Sequence, residues 1–298
     1  MISILIPTYN YNVFPLVEKL QKQCKNANIP YEILVLDDAS PDKSFLGKNS
    51  MINELEQCTF SVLDKNIGRS KIRNLLAEKA KFDWLLFLDA DIMPKMSKFI
   101  EKYISTIISN EPEVIYGGIT YQQEKPVKNK MLRWKYGNAR EVKTVTERLR
   151  SPFDIISQNL LIFKPTFLNA NTVFENYYGL DIFFSNQLKR MSAKIIHIDN
   201  PVIHFGLEEN YKFLNKALQA VETTALLEKK GLIDNDVRPL QKSYLKLEKM
   251  HCINVFSTLI SPLKRKMERN FISKKPNLFW FDLYRLYHFI QHKKKYNA

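Results

Sequence analysis

Across residues 1–120, short apolar runs alternate with segments in which apolar side chains recur at three- and four-residue spacing. No other pattern in the chain restricts its fold as much. Parallel strands must be joined by long crossovers, usually a helix laid over the sheet, so the alternation predicts βα units feeding a mostly parallel sheet. Strands are expected at Ile2 to Pro7, Tyr31 to Leu36, Phe60 to Leu63, Trp84 to Leu88 and Val114 to Tyr116. Their nearly unbroken apolar character fits a sheet covered on both faces. Helices expected at Val13 to Cys24, Ser50 to Gln57, Arg69 to Lys79 and Pro94 to Ile108 would supply that cover.

In such a sheet ligands bind outside the carboxyl ends of the strands, where loops open and helix amino termini aim N–H groups at anions. Pro7-Thr8-Tyr9-Asn10 follows the first strand, Asp37-Asp38-Ala39-Ser40 the second, and Asp89-Ala90-Asp91 the fourth. Carboxylates therefore gather on one edge. Alternate residues of an extended segment point the same way, so Asp89 and Asp91 can share a task. One can hold a hard divalent cation, Mg²⁺ or Mn²⁺, while the other holds ribose or a metal-bound water. A diphosphate leaving group needs such a cation to offset its charge.

Spacing alone does not decide this. Asp234-Asn235-Asp236 repeats it in an expected helix-to-helix turn, where such residues cap, and a solvated loop is the plain alternative for Asp89 and Asp91. A second signal is Asn66-Ile67-Gly68-Arg69-Ser70-Lys71-Ile72-Arg73-Asn74, which sets a glycine and two arginines at a helix start. Free N–H groups and positive charge there favour a phosphate or a uracil-like carbonyl edge, although a turn with a basic first helical turn explains the same residues.

The rest of the chain is less regular. Residues 122 to 150 are polar and basic and are expected to form a mobile or substrate-facing loop. An apolar segment follows from Ile155 to Phe163, then a helix opened by Tyr178-Gly179-Leu180-Asp181 and running to Met191, then strands at Lys194 to Ile198 and Val202 to Phe205. Beyond Glu208 the periodicity is mostly helical. The chain is long enough for one large domain or two small ones. The plan expected is a main domain over 1–206 and a helical extension over 207–298.

No stretch has the uninterrupted apolar length of a spanning helix, and the first residues lack a leader pattern, which leads to the expectation of a cytoplasmic protein. Cys24, Cys58 and Cys252 lie far apart without metal-ligand spacing and are expected to be reduced and structural. Residues 241–298 hold 13 Lys and Arg against 3 acids, so +10 of the net +14 sits in the tail. There Leu278 to Ile290 combines aromatic bulk with helical period, between Lys264-Arg265-Lys266 and Lys293-Lys294-Lys295. Such a segment suits an anionic membrane surface, reached through residues 264–296 at the inner face of the cytoplasmic membrane, or packing onto the protein's own core or a second subunit. Nucleic acid is not expected, because no recognition module accompanies the charge.

Four of these motifs, Ile4-Leu5-Ile6-Pro7-Thr8-Tyr9-Asn10, Val35-Leu36-Asp37-Asp38-Ala39-Ser40, Asn66-Ile67-Gly68 with Arg73-Asn74, and Phe87-Leu88-Asp89-Ala90-Asp91, occur in the order and approximate spacing of the family 2 glycosyltransferases of GT-A fold. The chain resembles that family to about residue 205, through Tyr178-Gly179-Leu180-Asp181 and Pro201 to Glu208. The resemblance implies an α/β fold of GT-A type with a Rossmann-like, mostly parallel sheet flanked by helices, forming a catalytic domain over 1–206 with a nucleotide half 1–120 and an acceptor half 121–206, to which the basic helical segment 207–298 is added. It implies an inverting transferase that takes a nucleotide-sugar, UDP favoured over GDP or dTDP, and passes the sugar to a hydroxyl of a glycan or lipid-linked acceptor in cell-surface polysaccharide synthesis. It further implies that Pro7, Thr8, Tyr9 and Asn10 line the nucleotide pocket with Asn66, Gly68 and Ala90, that Asp38 reads the base, and that Arg73 sits near the donor. Asp89 would touch ribose, and Asp91 would bind Mg²⁺ or Mn²⁺ with His204, whose plain alternative is a histidine ending a strand. His197, outside any motif, is expected to be structural.

Inverting displacement needs a base opposite the departing nucleotide. Asp181 matches the aspartate of the family's Glu-Asp pair, with Leu180 where the glutamate usually stands. Asp181 as a helix cap and Glu175 as the base remain alternatives. Ser157, Gln158, Asn159 and Trp134 are acceptor-side candidates, since polar groups beside an aromatic platform suit sugar rings, or else ordinary strand and loop surface. A nucleotidyltransferase and an inactive membrane-associated scaffold of the same fold are the rival readings. The first lacks its Gly-rich basic loop after strand one, and the absence of GxGxxG there disfavours a dinucleotide oxidoreductase.

Overall fold

The computed structural model describes residues 1–172, 175 and 177–297. The chain divides into two compact units, Met1–Thr120 with Val142–Asn176 and Leu188–Gly206, and Tyr121–Glu141 with Tyr177–Gln187 and Leu207–Ala298. In chain order the elements are β1 (Ile2–Thr8), α1 (Phe14–Asn26), β2 (Tyr31–Asp37), α2 (Lys43–Ser50), β3 (Cys58–Val62), α3 (Arg69–Lys79), β4 (Trp84–Leu88), β5 (Ile92–Pro94), α4 (Phe99–Asn110), β6 (Val114–Tyr116) and β7 (Ile119–Tyr121). They continue as α5 (Met131–Tyr136), α6 (Val145–Leu149), β8 (Asn159–Phe163), α7 (Lys164–Ala170), α8 (Asp181–Arg190), β9 (Ile195–His197) and β10 (Val202–His204). The last helices are α9 (Asn210–Lys229), α10 (Pro239–Lys249), α11 (Ile253–Ile260), α12 (Lys264–Phe271) and α13 (Leu278–Asn297).

The first unit is built on a seven-stranded sheet of order β3-β2-β1-β4-β8-β6-β9. The pairs β1–β2, β1–β4, β2–β3 and β6–β9 are parallel, and β8 runs antiparallel to both β4 and β6. The order reverses at β1, which has β2 on one side and β4 on the other, so the loops after these three strands open side by side. Ile4, Leu5, Ile6, Leu85, Leu86, Phe87 and Leu88 are fully buried, which is why these segments carry no polar alternation. Burial also pushes the Cys24 thiol up to about 12, an inert core thiol.

Three expected elements form differently. The helix expected at Ser50 to Gln57 begins earlier, because Asp42 caps it by accepting from Ser44 N at 2.9 Å, and only a 3₁₀ turn, Met51–Glu54, follows it. The helix expected from Pro94 starts at Phe99, because Ile92–Pro94 is drawn into an antiparallel pair with Val202–His204. Residues 122–150 are not a structureless loop. They contain α5, a π turn at Gly137–Glu141, and α6, which Thr144 and Glu147 start with a capping box.

In the second unit α9 and α13 share two apolar clusters. Leu132 of α5 joins Phe213, Leu214, Phe271, Phe281 and Tyr284 in one, and Val221, Ala225, Phe289 and Ile290 lie in the other. Residues 121–141 and 177–187 thus group with the carboxyl-terminal helices, whereas the acceptor half 121–206 was expected to be continuous. The aromatic stripe of Leu278 to Ile290 is core, with Phe281, Phe289 and Ile290 fully buried. Its buried rings, each contributing about 1.5–3 kcal/mol by burial, are unavailable to a bilayer, whereas Phe279 is exposed. Among the described residues, no helix is long and apolar enough to cross a membrane.

Candidate active site

A cavity of about 360 Å³ opens where β1, β2 and β4 end, lined by Pro7, Thr8, Tyr9, Tyr11, Asp38, Asn66, Gly68, Arg69, Ile72, Arg73, Asp89, Ala90 and Asp91. Its walls are fixed by hydrogen bonds between the strand-end loops. After β2, the Asp37 carboxylate accepts from Ser40 N at 2.7 Å and from Ser40 Oγ at 2.6 Å, forming a turn in which Ala39 takes φ 60°. Ser40 Oγ then accepts from Asn10 N at 2.7 Å, tying the β1 loop to the β2 loop.

Asp38 holds the third loop. Its Oδ1 accepts from Ile67 N at 2.7 Å and its Oδ2 from Gly68 N at 3.0 Å, while its carbonyl accepts from Asn66 Nδ2 at 3.0 Å. Gly68 precedes α3 with φ 85°, a conformation that favours glycine, and so turns the chain to present the start of α3 to the cavity. On α3, Arg69, Ile72 and Arg73 share one face by helical spacing. Both arginines grip Asp89: Arg69 Nη2 donates to Oδ2 at 2.8 Å, and Arg73 Nη2 donates to Oδ1. Arg73 is buried, so this pair is shielded from water and orients the Asp89 carboxylate firmly.

Asp91 meets His204. Strand pairing brings them together, since His204 stands opposite Ile92 in the β5–β10 register and Phe205 N donates to Asp91 O at 2.8 Å. Asp91 Oδ2 lies 3.3 Å from His204 Nε2. Burial acts to raise the Asp91 pKa, but the His204 hydrogen bond and charge together with Arg69 outweigh it, and the pKa lies below the ordinary value. Nearby, burial first and the Asp91 charge second raise the Tyr11 phenol. Among the described residues no group of three or more His, Cys, Asp or Glu converges to hold a metal ion. Asp91 and His204 instead offer one carboxylate and one imidazole beside the cavity. That donor pair fits a divalent cation whose remaining ligands are diphosphate oxygens and water.

The expected pocket residues thus fall together except Asn10, whose N–H and side chain tie the loops behind the cavity, with Oδ1 accepting from Asp42 N at 3.4 Å. Arg69, one of the two arginines expected at this helix start, lines it too, and Tyr11 and Ile72 do so without having been assigned there. The one-face spacing of 69, 72 and 73 on α3 was the available signal for Ile72. Asn159 is not acceptor-side surface: it is fully buried, donating to Gly118 O at 2.8 Å and Asn200 O at 2.9 Å and accepting from Tyr103 Oη at 2.7 Å. Ser157 and Gln158 are half-buried, and Gln158 O accepts from Asp89 N at 3.3 Å. Trp134, in the second unit, is half-buried and donates its indole N–H to Gln122 O at 2.9 Å. His197 is buried against Pro152 O at 2.9 Å, and burial lowers its pKa.

Asp181 is the first residue of α8, in the second unit, and is half-buried. Before it, Gly179 takes φ 93° and lies so close to α9 that a Cβ there would stand 2.8 Å from Ala220 Cβ, so both backbone and packing require glycine. Glu175 is exposed.

A carboxylate-rimmed cavity, with a helix start and two arginines on its wall, thus opens where the order of a mostly parallel α/β sheet reverses. Residues 3–167 match the family described as glycosyl transferase family 2, which is more than half the chain, and the chain belongs to that family. It is 28% identical over 122 residues to an uncharacterized glycosyltransferase of Haemophilus influenzae, covering 41% of this chain and 48% of that protein. It is 27% identical over 124 residues to the undecaprenyl-phosphate 4-deoxy-4-formamido-L-arabinose transferase of Serratia proteamaculans, covering 38% of each. The chain thus spans less than half the length of these relatives. In fold it resembles the mannosyltransferase PcManGT of Pyrobaculum calidifontis, solved with GDP-Man and Mn²⁺, with a TM-score of 0.58 and 15% identity over 98% of this chain and 86% of that one. It also resembles S. aureus TarS 1-349 in complex with UDP-GlcNAc, with a TM-score of 0.51 and 16% identity over 99% of this chain and 91% of that one.

Proposed function

We propose that this chain is an inverting glycosyltransferase that moves a sugar from a nucleoside diphosphate sugar, UDP-linked by preference, to a hydroxyl of a glycan or lipid-linked acceptor in the making of a surface polysaccharide. The observation that carries the reading is the convergence of Asp38, Arg73, Asp89 and Asp91 on one cavity at the ends of β1, β2 and β4. Membership of the family supports sugar transfer, and the two likenesses in fold include proteins solved with UDP-GlcNAc and with GDP-Man. The arabinose transferase among the relatives is named for a lipid-linked substrate, which supports the acceptor class.

In this reading the base and ribose lie between Tyr9, Asp38 and Asp89, with Arg69 and Arg73 holding the Asp89 carboxylate toward the ribose hydroxyls. Asp91 and His204 would hold Mg²⁺ or Mn²⁺, which would supply positive charge against the departing diphosphate. Asp181 takes the proton of the acceptor hydroxyl as its oxygen bonds to the anomeric carbon and the bond to the diphosphate oxygen breaks, so configuration inverts. Its match to the aspartate of the family's Glu-Asp pair supports that role. Thermal denaturation of the protein with Mn²⁺ and a panel of nucleotide-sugars tests the reading, because a ligand of the native state raises the melting temperature. A nucleoside diphosphate sugar is expected to raise it and a nucleoside triphosphate to do so less; a triphosphate preference would overturn it.

A further inference from the structure

The helical unit carries one outward face that its own core leaves uncovered. From α11 through the 3₁₀ turn Ser261–Leu263 into α12 the chain stays nearly helical, and one side packs inward through Ile260, Met267 and Phe271. The opposite side begins apolar and ends basic. Val255 is 59% exposed and Leu259, one helical turn on, 64% exposed, and the exposed Leu263 follows. Arg265, Lys266 and Arg269 then continue the outward side, all exposed. Lys266 Nζ sits 5.7 Å above the Trp280 ring, which joins this face to the start of α13 and the loop before it, where Ile272, Lys274, Lys275 and Phe279 are exposed as well. The single acid of α12, Glu268, accepts from Tyr284 Oη at 2.6 Å.

Scattered exposed leucines are ordinary, but an apolar helix row that runs into a row of cations has a defined complement. The cations alone would suit any polyanion. Val255, Leu259 and Phe279 find no use on a nucleic acid or a soluble acidic chain, whereas a bilayer offers an acyl boundary beside its phosphates. We propose that the α11–α12 face docks on an anionic lipid bilayer, with Val255 and Leu259 entering the headgroup boundary and Arg265, Lys266 and Arg269 on lipid phosphates. The bilayer surface is therefore centred on α11 and α12, and of the aromatic stripe only the exposed Phe279 adds to it, its other rings being wholly or partly buried. The proposal does not depend on the nucleotide cavity, and its failure would leave that reading standing.

Sedimentation of the full chain with vesicles tests it. The protein is expected to partition onto vesicles of phosphatidylglycerol mixed with phosphatidylcholine and to remain free with phosphatidylcholine alone. Val255→Ser with Leu259→Ser, and separately Lys266→Gln with Arg269→Gln, are each expected to lower the partition coefficient by about tenfold. Lys22→Gln with Lys48→Gln removes the same charge from exposed positions of the other unit and should change it by less than about twofold. All these positions are exposed, so melting temperatures should hold within a few degrees and confirm that the variants fold. Equal loss in the Lys22 and Lys48 variant, no loss in the serine variant, or no partition at all would overturn the proposal.

Discussion

Gly206 leaves the space that the Asp91 carboxylate fills: a Cβ at 206 would stand 1.6 Å from Asp91 Oδ2. The strand that supplies His204 therefore also fixes, through the absence of a side chain two residues later, where Asp91 points. Gly206→Ala is expected to turn the Asp91 carboxylate away from His204 without disturbing the core, since the displaced atom ends a short side chain. Nucleotide affinity in the presence of Mn²⁺, measured by calorimetry, should fall by about tenfold or more, while the melting temperature without ligand changes little.

Asp38 should behave as a loop anchor as well as a pocket wall. Asp38→Ala strands the N–H groups of Ile67 and Gly68, and leaving such donors unpaired costs about 1–3 kcal/mol each. The expected result is a nucleotide affinity lowered by at least about tenfold together with faster amide exchange at Ile67 and Gly68. Loss of affinity with unchanged exchange would assign Asp38 to ligand contact alone.

Much of this was legible in the residues. β4 and α3 fall at their expected bounds, because an unbroken apolar strand and a glycine-started helix are locally determined signals. The strand-end carboxylates were legible for the same reason. The partnership of Arg69 with Asp89 was not, since it joins residues on separate elements, nor was the buried role of Asn159, whose partners Gly118 and Asn200 lie about 40 residues away on either side. Composition left the tail open between lipid and core: Phe281 and Ile290 look alike whether they face lipid or α9, and only packing decides.

If Asp181 takes the acceptor proton, Asp181→Asn should leave nucleotide-sugar affinity within about twofold and lower the turnover number by about 100- to 10,000-fold. Paired binding and transfer assays read this directly. Retained turnover would pass the role to another carboxylate, with Glu175 the first to substitute.

His288 makes the helical unit sensitive to acid. Burial first, then the charges of Lys264 and His292, against a smaller opposing effect of Glu268, push its pKa down from 6.5 to about 4. Between these values the unfolded chain binds a proton that the folded chain refuses, so stability is complete above about pH 6.5 and declines as pH falls toward about 4. With allowance for partial exposure the loss is about 1–2 kcal/mol. Melting curves from about pH 7.5 to about pH 4.5 should show a smaller decline for His288→Gln than for the unmodified protein.

The proposed reaction rests on a divalent cation held by Asp91 and His204 against a nucleoside diphosphate. Calorimetric titration of UDP into the protein with Mn²⁺, and again with a chelator, measures it most directly. Affinity at least about tenfold higher with Mn²⁺ is expected, and Asp91→Ala protein should bind UDP equally weakly in both conditions. UDP binding that ignores the metal in the unmodified protein, or a metal effect that survives Asp91→Ala, would contradict it.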